Sequence, residues 1–130
     1  MLPPIQEMLF VGLGGFLGAN ARYIMAGWVA QWTHGFNLPY GTMFVNVTGS
    51  FLLAVFGVLF AQQIRFDDNL RLFVGVGFFG AYTTFSTYAN ETMALIRAGD
   101  WVGGVGNMVL NNGLCLIGVI LGLWLANRIW

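Results

Sequence analysis

The sequence predicts an all-α membrane protein of four transmembrane helices, with the third helix broken. Three observations predict it. Apolar residues make up 58% of the 130 residues and charged residues only 8%, whereas an ordinary soluble domain carries about 25% charge. The mean hydropathy is +0.74. Four stretches of at least about 20 residues are apolar enough to cross a bilayer. The length suits one domain, so residues 1–130 are read as a single integral membrane unit.

The first span is expected at about residues 8–31, interrupted only by Asn20 and Arg22. The segment before it, Met1 to Glu7, has no basic n-region and contains an acid, so a cleaved secretory signal is not expected. A polar turn with His34 and Pro39 leads to the second span, about 42–61. That span ends in Gln62, Gln63 and Arg65, and Asp67 with Asp68 mark an exposed loop. The third span, about 72–96, closes at Arg97, Gly99 and Asp100. The fourth, about 102–126, closes at Asn127 and Arg128. Nineteen glycines are present, most of them inside the spans. Small residues let helices approach closely in lipid, where no hydrophobic drive pairs them. Gly14, Gly18 and Arg22 share one face at i, i+4 and i+8, and Gly49, Gly113, Gly118 and Gly122 offer similar faces.

Five arginines, no lysine and five acids sum to zero net charge. That excludes the basic footprint of a nucleic-acid binder. Cys115 is the sole cysteine, so no intrachain disulfide can form. An even number of spans puts both termini on one side, with Arg65, Arg71 and Arg128; Arg97 falls opposite. So weak a bias permits either insertion in both orientations or one poorly encoded orientation. Four short helices enclose little interior, and a homodimer is the economical way to add a hydrated pathway to a packed core.

Polar groups at membrane depth are costly and mark sites. Arg22, near the end of its span, can snorkel, cap a loop or draw anions toward a vestibule. Asn46 shares a face with Thr42 and can serve as interhelical glue or hydrate a passing anion. The third span carries the densest signal, G-V-G-F-F-G-A-Y-T-T-F-S-T-Y-A-N-E from Gly75 to Glu91. Gly75, Gly77 and Gly80 weaken the helix near the bilayer centre. Thr83, Thr84, Ser86 and Thr87 can satisfy backbone groups freed by a break. Phe85 and Tyr88, three apart, project from one face, and a ring's positive edge favours an anion. Glu91 follows one turn on. In the fourth span Asn107, Asn111 and Cys115 form a row at i, i+4 and i+8, suited to a pore lining or to interhelical bonding; Asn112 breaks the row. No cluster has metal-ligand spacing and no nucleophile has a paired base, so an enzyme has little support.

Three motifs then resemble the Fluc family of small dual-topology fluoride ion channels: G-G-F-L-G-A-N-A-R-Y at Gly14 to Tyr23, V-N-V-T-G-S-F at Val45 to Phe51, and G-A-Y-T-T-F-S-T-Y at Gly80 to Tyr88. They fall in three spans in the right order, and length and span count agree. The resemblance implies a multi-pass protein of a bacterial-type plasma (inner) membrane, forming an antiparallel homodimer with two fluoride pathways. It implies a structural sodium ion, Na+, held between subunits by the backbone carbonyls of Gly80 and Thr83. It maps the pore asparagine to Asn46, the pore aromatics to Phe85 and Tyr88, further pathway groups to Ser86, Thr87 and Glu91, and the arginine of the first motif to Arg22. Two departures stand out. Tyr88 replaces the usual Phe, and Asn107, Asn111 and Cys115 replace a row that tends to use Tyr and Ser. Fluoride is small and tightly hydrated. Hydroxyls, amides and ring edges can replace its water without trapping it at a fixed basic group. The main rival is a four-span proton-coupled exporter, which needs an embedded carboxylate in its first span; only Glu7 stands there, at the entrance. A non-transporting scaffold, with polar rows serving as glue, is the rival of another class.

Overall fold

A computed structural model describes residues 2–62 and 67–129. Gln63 and Arg65, read above as the end of the second span, lie outside the described residues. The described chain is helical with short connections. Helix α1 runs Ile5–Trp32 and α2 runs Tyr40–Gln62. The turn between them contains Gly35, and Pro39 stands just before α2 and accepts the Met43 N–H at 3.1 Å. Asp67 caps the single turn α3, Asp68–Arg71, by accepting from the Asn69 N–H. The chain then winds as a π-helix over Leu72–Phe79 and returns to one α turn, α4, at Gly80–Tyr82.

Thr83 and Thr84 leave the helical region, Thr83 at ψ 161° and Thr84 at φ −153°, ψ 118°. Helix α5 resumes at Phe85–Arg97. Gly99, at φ 86°, takes the left-handed turn that ends α5 and that a side chain would strain. Asp100 then accepts the Gly103 N–H at 2.8 Å and opens α6, Trp101–Ile129. Among the described residues three helices, α1, α2 and α6, are long and apolar enough to cross a membrane. The sequence-expected span at 72–96 is divided between the π stretch, α4 and α5.

Large apolar side chains such as Phe16, Trp28, Leu116 and Trp124 are exposed along these helices. Faces of this extent and apolarity belong in lipid, and the chain is an integral membrane protein. The buried centre is small, built on Val45, Phe79 and Tyr82 with Met25, Phe44, Phe56 and Phe78 against it. Tyr82 stacks on Phe78 at 5.8 Å, and its hydroxyl meets that of Thr48 at 3.0 Å.

Glycines set the helix spacing. Helix α1 lies along the π stretch and α2 along α6. A Cβ on Gly14 or Gly18 would collide with the carbonyl oxygens of Phe73 and Phe78, respectively. From the facing side, a Cβ on Gly77 would come within 2.6 Å of the Val11 carbonyl oxygen. Gly118 and Gly122 bring α6 onto the backbone of α2 at Val47 and Phe51. Gly113, grouped with them in the sequence reading, has open space beside it instead.

Candidate functional site

The two extended residues organise the site, and Asn46 of α2 pairs with the second of them. Its Oδ1 accepts the Thr84 N–H at 2.8 Å, and its Nδ2 donates to the Thr84 carbonyl at 3.1 Å. A side-chain amide thus completes the backbone where the helix is interrupted, and Asn46 is buried with it. Thr84 also caps α5, its hydroxyl accepting the Thr87 N–H at 3.2 Å and donating to the Thr87 hydroxyl at 3.0 Å. The Thr87 hydroxyl is left its own hydrogen to give.

Donor direction follows from this arrangement. A backbone N–H only donates, so the Thr84 N–H fixes which end of the Asn46 amide is oxygen. The Asn46 nitrogen then faces Asn111 of α6 and donates to its Oδ1 at 3.3 Å. Cys115 Sγ donates to the same oxygen at 3.7 Å. The Asn111 nitrogen is therefore turned away, buried and without a hydrogen-bond partner among the described residues. Asn111 is only 3% exposed. An unpaired buried amide donor costs about 1–3 kcal/mol.

That nitrogen belongs to a side chain lining a cavity of about 230 Å³, shared with Asn46, Thr84, Phe85, Tyr88 and Cys115. The rings of Phe85 and Tyr88 meet edge to face at 5.5 Å. Tyr88 is buried, while Phe85 is 76% exposed on the single chain. Thr84 also lines a wider cavity, about 630 Å³, with Arg22, His34, Thr42, Thr87 and Glu91. There Thr42 donates to Glu91 Oε1 at 2.8 Å, while Glu91 Oε2 is buried without a partner among the described residues. Ser86 lines a third cavity with Thr87, Asn90, Glu91 and Arg97.

Of the residues singled out from sequence, the fold thus gathers Arg22, Thr42, Thr87 and Glu91 at the wide cavity. It gathers Asn46, Phe85, Tyr88 and Asn111 at the narrow one. Asn107 stands apart from both groups. It is fully buried and donates to the Thr92 hydroxyl at 2.8 Å, which in turn donates to the Tyr88 carbonyl. Thr84 and Thr92 were not assigned to the site from sequence. Thr84 had a signal, being a threonine three before a hydroxyl at the start of a helical run. Thr92 had none, because its partner is a helix away.

The interruption frees the carbonyls of residues 80–83 from their i+4 donors, Gly80 and Thr83 among them. Gly80 would receive the Thr84 N–H, which Asn46 has taken. Thr83 would receive the Thr87 N–H, which the Thr84 hydroxyl has taken. Arg22 donates to the Thr83 carbonyl at 3.4 Å. Neutral carbonyl oxygens at a helix interruption suit a small hard cation, so the residues fit a sodium ion.

Comparison with known proteins adds to this picture. The family described as CrcB-like protein, Camphor Resistance (CrcB), matches residues 9–123. A protein of Koribacter versatilis named fluoride-specific ion channel FluC is 45% identical over 116 residues, 89% of this chain and 91% of that protein. One of the same name from Shewanella sp. strain ANA-3 is 44% identical over 118 residues, 91% and 94% of the two chains. Another, from Sulfurihydrogenibium sp. strain YO3AOP1, is 40% identical over 125 residues, 96% of this chain and all of that one.

Proposed function

The chain belongs to the CrcB family, which it shares with relatives named fluoride-specific ion channels, and on that premise we propose that it is a passive fluoride channel rather than an enzyme. The observation that carries the reading is the free, buried amide nitrogen of Asn111 beside the Phe85 and Tyr88 rings. A cation exporter would want acceptors at this point. A scaffold would pair the amide, because burying a donor without return only destabilises it.

Fluoride is drawn into the wide cavity by Arg22, whose charge raises the local anion concentration. Thr42 holds Glu91 by one oxygen and keeps the carboxylate on its side of the cavity. The Thr87 hydroxyl, with Ser86 beside it, gives the ion its first replacement for water. At the narrow cavity the Asn111 N–H and the positive edges of Phe85 and Tyr88 surround the ion. Asn46 shapes this step by holding Thr84, and it lends an N–H of its own only by releasing Asn111. Each contact is a neutral donor, so binding stays weak enough for passage. Asn107 supports the pathway from behind through Thr92 and the Tyr88 backbone.

The functional unit is an antiparallel homodimer with two pathways, in which a second copy covers the exposed Phe85. The Gly80 and Thr83 carbonyls of each copy would hold Na+ at the subunit boundary. When bound, the ion supplies a fixed positive charge that ties the two interrupted helices together. Two carbonyls from one chain do not replace a cation's water, so the second copy supplies the remainder. With the Thr83 carbonyl on the ion, the Arg22 guanidinium, which lines the wide cavity, would be free of that oxygen. The protein resides in a bacterial-type plasma membrane, with its four spans as one unit over residues 1–130.

Efflux from liposomes tests the reading. Purified protein is expected to release fluoride and retain chloride. Fluoride release no faster than from empty liposomes rejects the channel, and proton-coupled loss of a cationic dye favours an exporter.

A further inference from the structure

Asn112 of α6 is a polar residue lining the narrow cavity that the pathway leaves unused. It neighbours Asn111 but points elsewhere, about 100° around the helix. Its Nδ2 donates to the Tyr88 hydroxyl oxygen at 2.8 Å and to the Met108 carbonyl at 2.7 Å. Both amide hydrogens are thereby spent. The Tyr88 oxygen is an acceptor in this contact, so its own hydrogen is available for another partner. Among the described residues that hydrogen reaches no acceptor.

A phenolic hydrogen lies close to the plane of its ring and points to one of two sides. Asn112 occupies one side. The ring plane is itself held, buried and edge-to-face with Phe85. Tyr88 and Asn112 both line the cavity that contains the free Asn111 amide. We propose that Asn112 is a positioning residue for anion passage. By donating to one side of the Tyr88 oxygen it turns the phenol hydrogen into the narrow cavity, where it joins the Asn111 N–H as a second free donor to fluoride.

Tyrosine at this position is thus a donor with a set direction. A bare ring edge would offer only a weak quadrupole. The inference rests on the fluoride-channel reading. A purely structural alternative has Tyr88 serving Asn112, satisfying an amide on an exposed helix face. The two differ in whether the bond matters to the ion.

The test is a double-mutant cycle read as fluoride efflux from liposomes, using the wild type, Y88F, N112L and Y88F/N112L. If the wild type moves no fluoride, the channel reading itself fails. If it conducts, Y88F and N112L are each expected to slow efflux about 3- to 10-fold, the worth of one hydrogen bond. The double variant is expected to match Y88F, since Asn112 then has no phenol to turn. Wild-type efflux in N112L, or an equal loss from N112L with and without Y88F, overturns the proposal.

Should N112L fail to assemble, N112D decides. Its carboxylate accepts the phenol hydrogen and withdraws it from the cavity. The loss of flux is then expected to be larger with Tyr88 present than in Y88F, and equal losses overturn the proposal. A further readout separates a structural role. The tyrosine ζ-carbon resonance that Y88F abolishes is expected to shift on adding fluoride to the wild type but not to N112D. A resonance insensitive to fluoride in the wild type overturns it.

Discussion

At the scale of single residues, the direction of one amide decides the chemistry. The order Thr84 N–H to Asn46 to Asn111 leaves one nitrogen over, and it belongs to a side chain lining the narrow cavity of the proposed pathway. Asn111→Ala is therefore expected to slow fluoride efflux from liposomes at least about tenfold, the worth of a charge-assisted hydrogen bond. The dimer should still be recovered by size exclusion, because the only bonds lost within the chain are those that Asn46 and Cys115 give to the Asn111 oxygen, and Asn46 keeps both of its bonds to Thr84. An unchanged efflux rate would remove Asn111 from the pathway. Asn46→Ala should behave differently, since it strips partners from the Thr84 backbone and from Asn111 together. Sequence reading picked out both asparagines, and left open whether each was glue or lining. Asn46 is bonded on both sides, and Asn111 is bonded on one.

At the scale of elements, spacing between helices is set by absent side chains. Gly18 of α1 and Gly77 of the π stretch bring two backbones together, and Gly14 extends the contact by a turn. Gly18→Ala places a methyl group against the Phe78 carbonyl and is expected to cost about 1–3 kcal/mol, the usual penalty for overpacking. Gly12→Ala has open space beside it and is expected to be neutral or to stabilise α1 by up to about 1 kcal/mol. Thermal unfolding of the two variants in one detergent checks the contrast; similar midpoints would mean that the close approach carries no energy. The close packing also holds the interruption in register with α2. Gly49 of α2 admits the Thr83 methyl, where any side chain would collide. The glycine-rich run from Gly75 to Gly80 was legible as a weak helix. Its π winding, and the placing of the extended pair at Thr83 and Thr84, depend on partners in other elements.

At the scale of the whole molecule, charge balance and an unfinished surface point the same way. Zero net charge and scattered arginines leave little to choose between two orientations. Phe85, Val76 and Met93 stand exposed, although Phe85 faces a cavity lined by polar groups. In the antiparallel dimer proposed above, the second copy would cover that ring and complete the two proposed pathways. A cysteine introduced at the C-terminus is expected to react with a membrane-impermeant thiol reagent from both sides of the membrane in comparable amounts. Adding three lysines to the 97–100 loop should drive the population to one orientation and abolish efflux. Co-expression with a copy carrying lysines at the other end should restore it. Labelling from one side only in the unmodified protein would reject the antiparallel arrangement.

What the sequence determined by itself is what depends on local sums. Hydropathy averaged over about 20 residues marks α1, α2 and α6, whose ends fall within a few residues of three of the four expected spans, while the expected span 72–96 is divided. The motifs carried the family, because residue identity at fixed spacing needs no coordinates. The tertiary structure decided which polar group is paired and which is free. Thr42 meets Glu91, Asn107 meets Thr92 and Asn112 meets Tyr88 across gaps of 49, 15 and 24 residues. A hydrogen bond forms only within about 3.5 Å, a distance that periodicity along one helix does not predict between two. The free amide of Asn111 is the end of such a chain of contacts. Its availability follows from the fold and from no single stretch of the sequence.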